Sequence, residues 1–223
     1  MIKETFRIDT VLIGSDDGLQ TYEIMRTWDS TKKKAIIIEL YPTISSSNIN
    51  TLDLSTMHLL NHMKQLNLGC IRVMNLYSTV YSEKPSASSL HEDLENIAYI
   101  TEVLDEPDIA DYEIIIAWGS SLSNHTATIN TKIHILETLQ EKGLEKNVTQ
   151  LYTEFLDTNT TIGCHPLYLG LHFSRDTWST ISYPLQSELA SLSTLVTKPK
   201  LPKENNKRGK TKKCTTELKT NLK

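Results

Sequence analysis

The run Ala35-Ile36-Ile37-Ile38-Glu39-Leu40-Tyr41 constrains the fold more than any other stretch. Residues that are nearly all apolar or β-branched can lie extended only where both faces of the strand are covered, which places this run at the centre of a parallel sheet with helices on either side. It stops at Pro42, which has no N–H for a ladder. Cys70 to Tyr77 and Tyr112 to Trp118 have the same character. Between these runs, apolar residues at helical spacing predict helices over Leu52 to Leu66, ended by Gly69, over Leu90 to Leu104, and over Ser123 to Lys142, closed by Gly143. Asn147 to Leu156 is ambiguous, a short fourth strand is expected over Thr160 to Cys164, and Pro184 to Val196 reads as a last amphipathic helix. Near the start, Ile8 to Ile13 and Thr21 to Trp28 alternate around Gly14-Ser15-Asp16-Asp17-Gly18, which is hairpin turn chemistry. The expected fold is α/β: a three-layer α/β/α domain around a central, mainly parallel four-stranded sheet, with an N-terminal hairpin.

In such sheets ligands bind beyond the carboxyl ends of the strands. The four expected ends carry Tyr41-Pro42, Asn75-Leu76-Tyr77, Trp118-Gly119-Ser120 and His165-Pro166, which the fold would gather into one cleft. Pro166 biases the backbone of His165 toward an extended conformation, so the imidazole is expected to project from a loop. Two readings stand for it: a working histidine, or a buried one closing a strand end. Other sites are excluded by pattern. The chain has no phosphate loop, no G-x-G-x-x-G, no G-x-S-x-G elbow and no H-E-x-x-H, and its 8 glycines leave little for a nucleotide cradle. Cys70, Cys164 and Cys214 are odd in number and form no C-x-x-C pair, which argues for free thiols and against a zinc or iron–sulfur site. No metal and no cofactor is expected.

Charge divides the chain. From Lys198 onward nine Lys and Arg208 stand against Glu204 and Glu217, a balance of +8, which leaves −12 for the first 197 residues of a chain of net charge −4. With Pro199, Pro202 and Gly209 and few apolar residues, 198–223 is expected to be a disordered basic tail behind a single domain over 1–197. A basic tail attracts polyanions without reading sequence, so it is read either as an aid to nucleic-acid association or as a solubilising terminus. No apolar run approaches the length of a membrane span, and the charged N-terminus lacks the apolar core of a signal peptide, so no membrane partner is expected and the cytoplasm is the default.

Five short motifs carry a resemblance. Arg26-Thr27-Trp28, Leu40-Tyr41-Pro42-Thr43, Asn75-Leu76-Tyr77, Ala117-Trp118-Gly119 and His165-Pro166-Leu167-Tyr168-Leu169, in that order over about residues 20 to 172, resemble a bacterial family known as domain of unknown function 1643. That family is similar in motif order to the uracil-DNA glycosylase superfamily: a strand ending in a proline loop, a strand ending in asparagine, a Trp-Gly strand end, and a His-Pro loop with leucine four residues after the histidine. The resemblance implies a monomeric, metal-free DNA repair enzyme that flips uracil or a related pyrimidine out of single- or double-stranded DNA and breaks its N-glycosidic bond. It also implies a possible protein inhibitor that mimics DNA. His165 would donate to a base carbonyl where charge grows in the transition state. Asn75 would read the base edge, Leu169 would wedge into the vacated stack, and Pro42, Thr43, Tyr77 and Trp118 would belong to the substrate pocket. Trp118 also reads as a packing residue, and Asn75 as a strand-terminating side chain.

One position departs from that pattern. Superfamily members often carry Asp or Asn just before the loop proline to orient water, and this chain has Tyr41 there. Tyrosine is a poor base at neutral pH. Either Tyr41 stacks on or gates the base, or another acid such as Glu39 substitutes, or the chain is not an active glycosylase. A period of two puts Glu39 and Tyr41 on one face, which keeps the substitution open. The alternatives are a non-catalytic nucleic-acid-binding protein on the same scaffold and an N-glycosidase acting on free nucleosides.

Overall fold

Seven strands form one mixed sheet in the order β1-β2-β4-β3-β5-β6-β7. The computed structural model describes residues 1–81, 83–157 and 161–197, and the expected tail over 198–223 lies outside them. β1 (Asp9–Gly14) and β2 (Thr21–Thr27) form the antiparallel hairpin, and β2 pairs antiparallel with β4 (Leu68–Asn75). β4, β3 (Lys33–Glu39), β5 (Tyr112–Ile116) and β6 (Val148–Tyr152) run parallel, and β7 (Ser179–Ser182) returns antiparallel along β6. Five helices, α1 (Leu54–His62), α2 (Leu94–Val103), α3 (Thr126–Glu141), α4 (Pro166–His172) and α5 (Leu185–Thr197), complete the described chain. None of its helices is long and apolar enough to cross a membrane.

The alternation of β3 sorts the core. Ile36 and Ile38 pack with Ile100 of α2, Leu136 of α3 and Leu192 of α5, whereas Ala35 and Ile37 pack with Leu59 of α1 and Leu169 of α4. Successive residues point to opposite faces, and both faces are covered, as the apolar run requires.

Three expectations are corrected. The sheet has seven strands instead of four, because the hairpin and β7 extend it on its two sides. No strand forms over the described residues 161–164; Gly163 there has φ +63°, outside the extended range, and the fourth parallel strand is the ambiguous segment, β6. Gly69 does not end a helix. It sits inside β4, where an added Cβ would fall 1.8 Å from the Asp29 carbonyl oxygen, and α1 has already stopped at His62.

A buried ion pair joins the hairpin to the central sheet. Arg72 of β4 forks onto Glu23 of β2, with Nε donating to Oε1 at 2.7 Å and Nη2 to Oε2 at 2.9 Å, and also pairs with Glu106. The Tyr99 hydroxyl donates to Glu23 at 2.7 Å. Removing the cation strands a buried carboxylate, so Arg72→Ala is expected to lose about 3 to 5 kcal/mol, read as a lower urea midpoint. An unchanged midpoint would show that the network does not hold the hairpin.

Candidate active site

The carboxyl ends of β3 and β5 open into a cleft of about 810 Å³. β3 delivers Glu39 and, just past its end, Tyr41; β5 delivers Trp118 and Gly119. The loop 161–165 closes the next side, held against β5 by backbone. Gly119 N–H donates to the Gly163 carbonyl at 2.8 Å, and Gly163 N–H donates to Oε1 of Gln150 in β6 at 2.7 Å. Both glycines have positive φ, and an added Cβ on Gly119 would lie 3.2 Å from the Cβ of His165. The close approach that seats His165 therefore needs glycine on both counts.

His165 caps α4 in the extended conformation, with Pro166 as the first helical residue. Leu167 N–H donates to its Nδ1 at 3.2 Å. Nδ1 is thus the acceptor, so the neutral imidazole carries its hydrogen on Nε2. Burial lowers the histidine from 6.5 to about 4, partly offset by Asp53, so at neutral pH the ring is an uncharged N–H donor. Asp53 also lines the cleft as the cap of α1, accepting from Thr56 N–H at 2.7 Å and from the Thr43 hydroxyl at 3.2 Å. Glu39 is pushed well above the usual carboxylate range, first by burial and then by the charge of Asp53. Its Oε2 lies 3.9 Å from His165 Nε2. Burial also raises Tyr41 above its ordinary value, and pushes the Cys164 thiol up to about 12, which leaves it unreactive.

Of the residues singled out by sequence, His165, Glu39, Tyr41, Thr43 and Trp118 line this cleft together. Pro42, Asn75, Tyr77 and Leu169 do not. The Tyr77 hydroxyl is buried against Thr128 Oγ1 at 2.7 Å, and the Pro42 carbonyl accepts from Tyr81 N–H at 3.0 Å. Asn75 is buried beside Glu39 in the sheet register, behind the wall. Leu169 is 0% exposed in the core under α4, so it cannot act as a wedge; its neighbours Tyr168 and Leu171, on the other side of the helix, border the cleft. Sequence reading missed Asp53, which the structure shows as the cap of α1. The cap was itself the clue, since a helix starting just after the β3 loop puts its N-terminus at the strand ends. Among the described residues no cluster of three or more His, Cys, Asp or Glu side chains could hold a metal ion.

A family model described as "Protein of unknown function (DUF1643)" matches residues 22–167. The chain belongs to that family. The DUF1643 match runs from β2 into the first turn of α4 and so includes Glu39, Asp53, Trp118 and His165, while Tyr168 and Leu171 lie beyond it. No curated protein and no solved structure matches the chain significantly.

The raised Glu39 has a consequence for stability. The folded chain keeps a proton there that the unfolded chain releases near 4.5, so stability is lost as pH rises through the folded value. Glu39→Gln does not ionise, and its melting temperature relative to wild type is expected to climb as pH rises above 4.5. A difference that stays constant with pH would place Glu39 at its ordinary value.

Proposed function

We propose that this DUF1643 chain hydrolyses the N-glycosidic bond of uracil or a related pyrimidine in DNA. The observation that carries the reading is the fixed tautomer of His165, whose Nδ1 is held by Leu167 N–H so that Nε2–H is available at the cleft. When the bond between the sugar carbon and the base nitrogen breaks, the electron pair passes to the base and negative charge gathers on its carbonyl oxygens. A neutral N–H donor already in place stabilises that charge without reorganisation. The sugar is left as a cation. Asp53, oriented by Thr56 and Thr43, faces it with a carboxylate that orients a water for addition to the sugar carbon and accepts its proton. This supplies the acid that Tyr41 does not; Tyr41, raised by burial, serves as an aromatic wall. The motif order that resembles the uracil-DNA glycosylase superfamily supports the same reading. Leu171, 66% exposed at the mouth, is the apolar side chain available to fill a vacated stack.

One observation favours free nucleosides as a second reading. No Lys or Arg is among the described residues that line the cleft, so nothing there offsets phosphate charge.

Incubation with a single-uracil oligonucleotide, followed by alkali, is expected to give strand scission. His165→Ala and Asp53→Asn should each slow base release about 100-fold, and Asn at position 53 keeps the helix cap. Uracil released from deoxyuridine but not from the oligonucleotide selects the second reading. Retention of the oligonucleotide without base release identifies a binding protein, and neither activity refutes the proposal.

A further inference from the structure

Glu39 lines the cleft with its side chain 8% exposed, and among the described residues its Oε1 has no hydrogen-bond partner. The 3.9 Å from Oε2 to His165 Nε2 is too long for a hydrogen bond. A buried polar atom left open destabilises the fold, and a ligand seated against Glu39 in the cleft would give the carboxyl the partner it lacks. The groups around it are Asp53 from the cap of α1, His165 from the cap of α4, Cys164 just before it and Tyr41 from the loop after β3. None is a cation, so no neighbour favours a charged Glu39. An uncharged carboxyl presents an O–H donor beside a C=O acceptor, the same pair that an amide presents. Asn75, which does carry an amide, is its register partner in β4 and lies behind the wall.

We infer that Glu39 is a specificity residue for a neutral ligand with an imide or lactam edge, donating its carboxyl hydrogen to the ligand carbonyl and accepting the ligand N–H. The choice of uracil as that ligand rests on the hydrolase reading above. No proton is transferred in the pairing, and the two hydrogen bonds form only while the carboxyl is uncharged.

Binding of free uracil and of 3-methyluracil, which lacks the edge N–H, to the full chain by calorimetry from about pH 5 to about pH 9 tests this. Wild type should bind uracil more tightly than 3-methyluracil, with an affinity that falls as pH rises through the Glu39 ionisation. Glu39→Gln keeps the donor and acceptor and should bind uracil within about threefold of wild type at low pH while losing that part of the pH dependence. Glu39→Leu, similar in shape without either group, should weaken binding roughly tenfold and bind the two ligands alike. Both variants remove an uncompensated buried carboxyl, so both are expected to melt no lower than wild type, which separates lost binding from lost fold. Glu39→Leu retaining full affinity and discrimination, or Glu39→Gln as weak as Glu39→Leu, overturns the inference. So does a wild type that binds no uracil. In each of these cases the hydrolase reading is judged separately, by base release from the oligonucleotide.

Discussion

A strand flanked by neighbours on both edges and covered on both faces can carry a polar group inside only where a partner meets it, as Glu23 meets Arg72 in β4, and otherwise at its ends. β3 is that strand, with Ala35 to Ile38 fully buried between β4 and β5, and the first polar side chain after them is Glu39. The last residue of β3 therefore also lines the cleft. Its carboxyl is there because the sheet ends there, and the same packing that stabilises the strand keeps water from it and pushes it well above the usual carboxylate range. The chemistry of the site is thus set by the burial of the strand beneath it.

The walls are set by backbone. The β3–β4 ladder fixes Glu39, and Trp118 follows just after the end of β5, but His165 belongs to a loop and needs its own anchor. Gly119 and Gly163 provide it by a direct N–H to carbonyl bond, with Gln150 of β6 tying the loop from behind. Lys132 of α3 supports the same corner from the other face. It is 4% exposed, its ammonium lies 5.0 Å from the Trp118 ring and 3.4 Å from the Gly119 carbonyl oxygen, and burial pulls it down to about 8. A cation over an indole face and beside a carbonyl holds both, and the charge of Glu188 favours it there. Two strands, β5 and β6, and one helix, α3, therefore converge on the two residues, Gly119 and Gly163, that seat the histidine.

Much of this was legible in the sequence, for identifiable reasons. Apolar runs and helical spacing located β3, β4, β5 and all helices but α4, because those segments are long enough for their period to stand out. β6 was not legible, since in Val148-Thr149-Gln150-Leu151-Tyr152 the polar Thr149 and Gln150 interrupt the apolar run, and they are accounted for only by neighbours: Gln150 by Gly163 and Thr149 by Glu113. His165 was found because proline after histidine signals an extended residue, and the structure adds that the residue is a helix cap. Leu169 was misplaced because spacing along the sequence does not say which side of a short helix faces the core. Asp53 was passed over because its capping bond and its place on the cleft wall are the same geometry, and only the first has a sequence signature.

The electrostatics of the cleft bear on what can enter it. Two carboxyls and a neutral imidazole face the same space, with no lining cation among the described residues, and the described body belongs to the −12 portion of the chain. The field at the mouth therefore disfavours anions and tolerates neutral or cationic groups. A flipped nucleotide brings its flanking phosphates to the rim, whereas its base and sugar, which would occupy the interior, are neutral. The cost falls on the carrier and not on the reacting group. On the proposed reading, affinity for DNA would come from cations outside the cleft, so binding the polymer and reading the base would draw on separate parts of the surface and respond separately to salt.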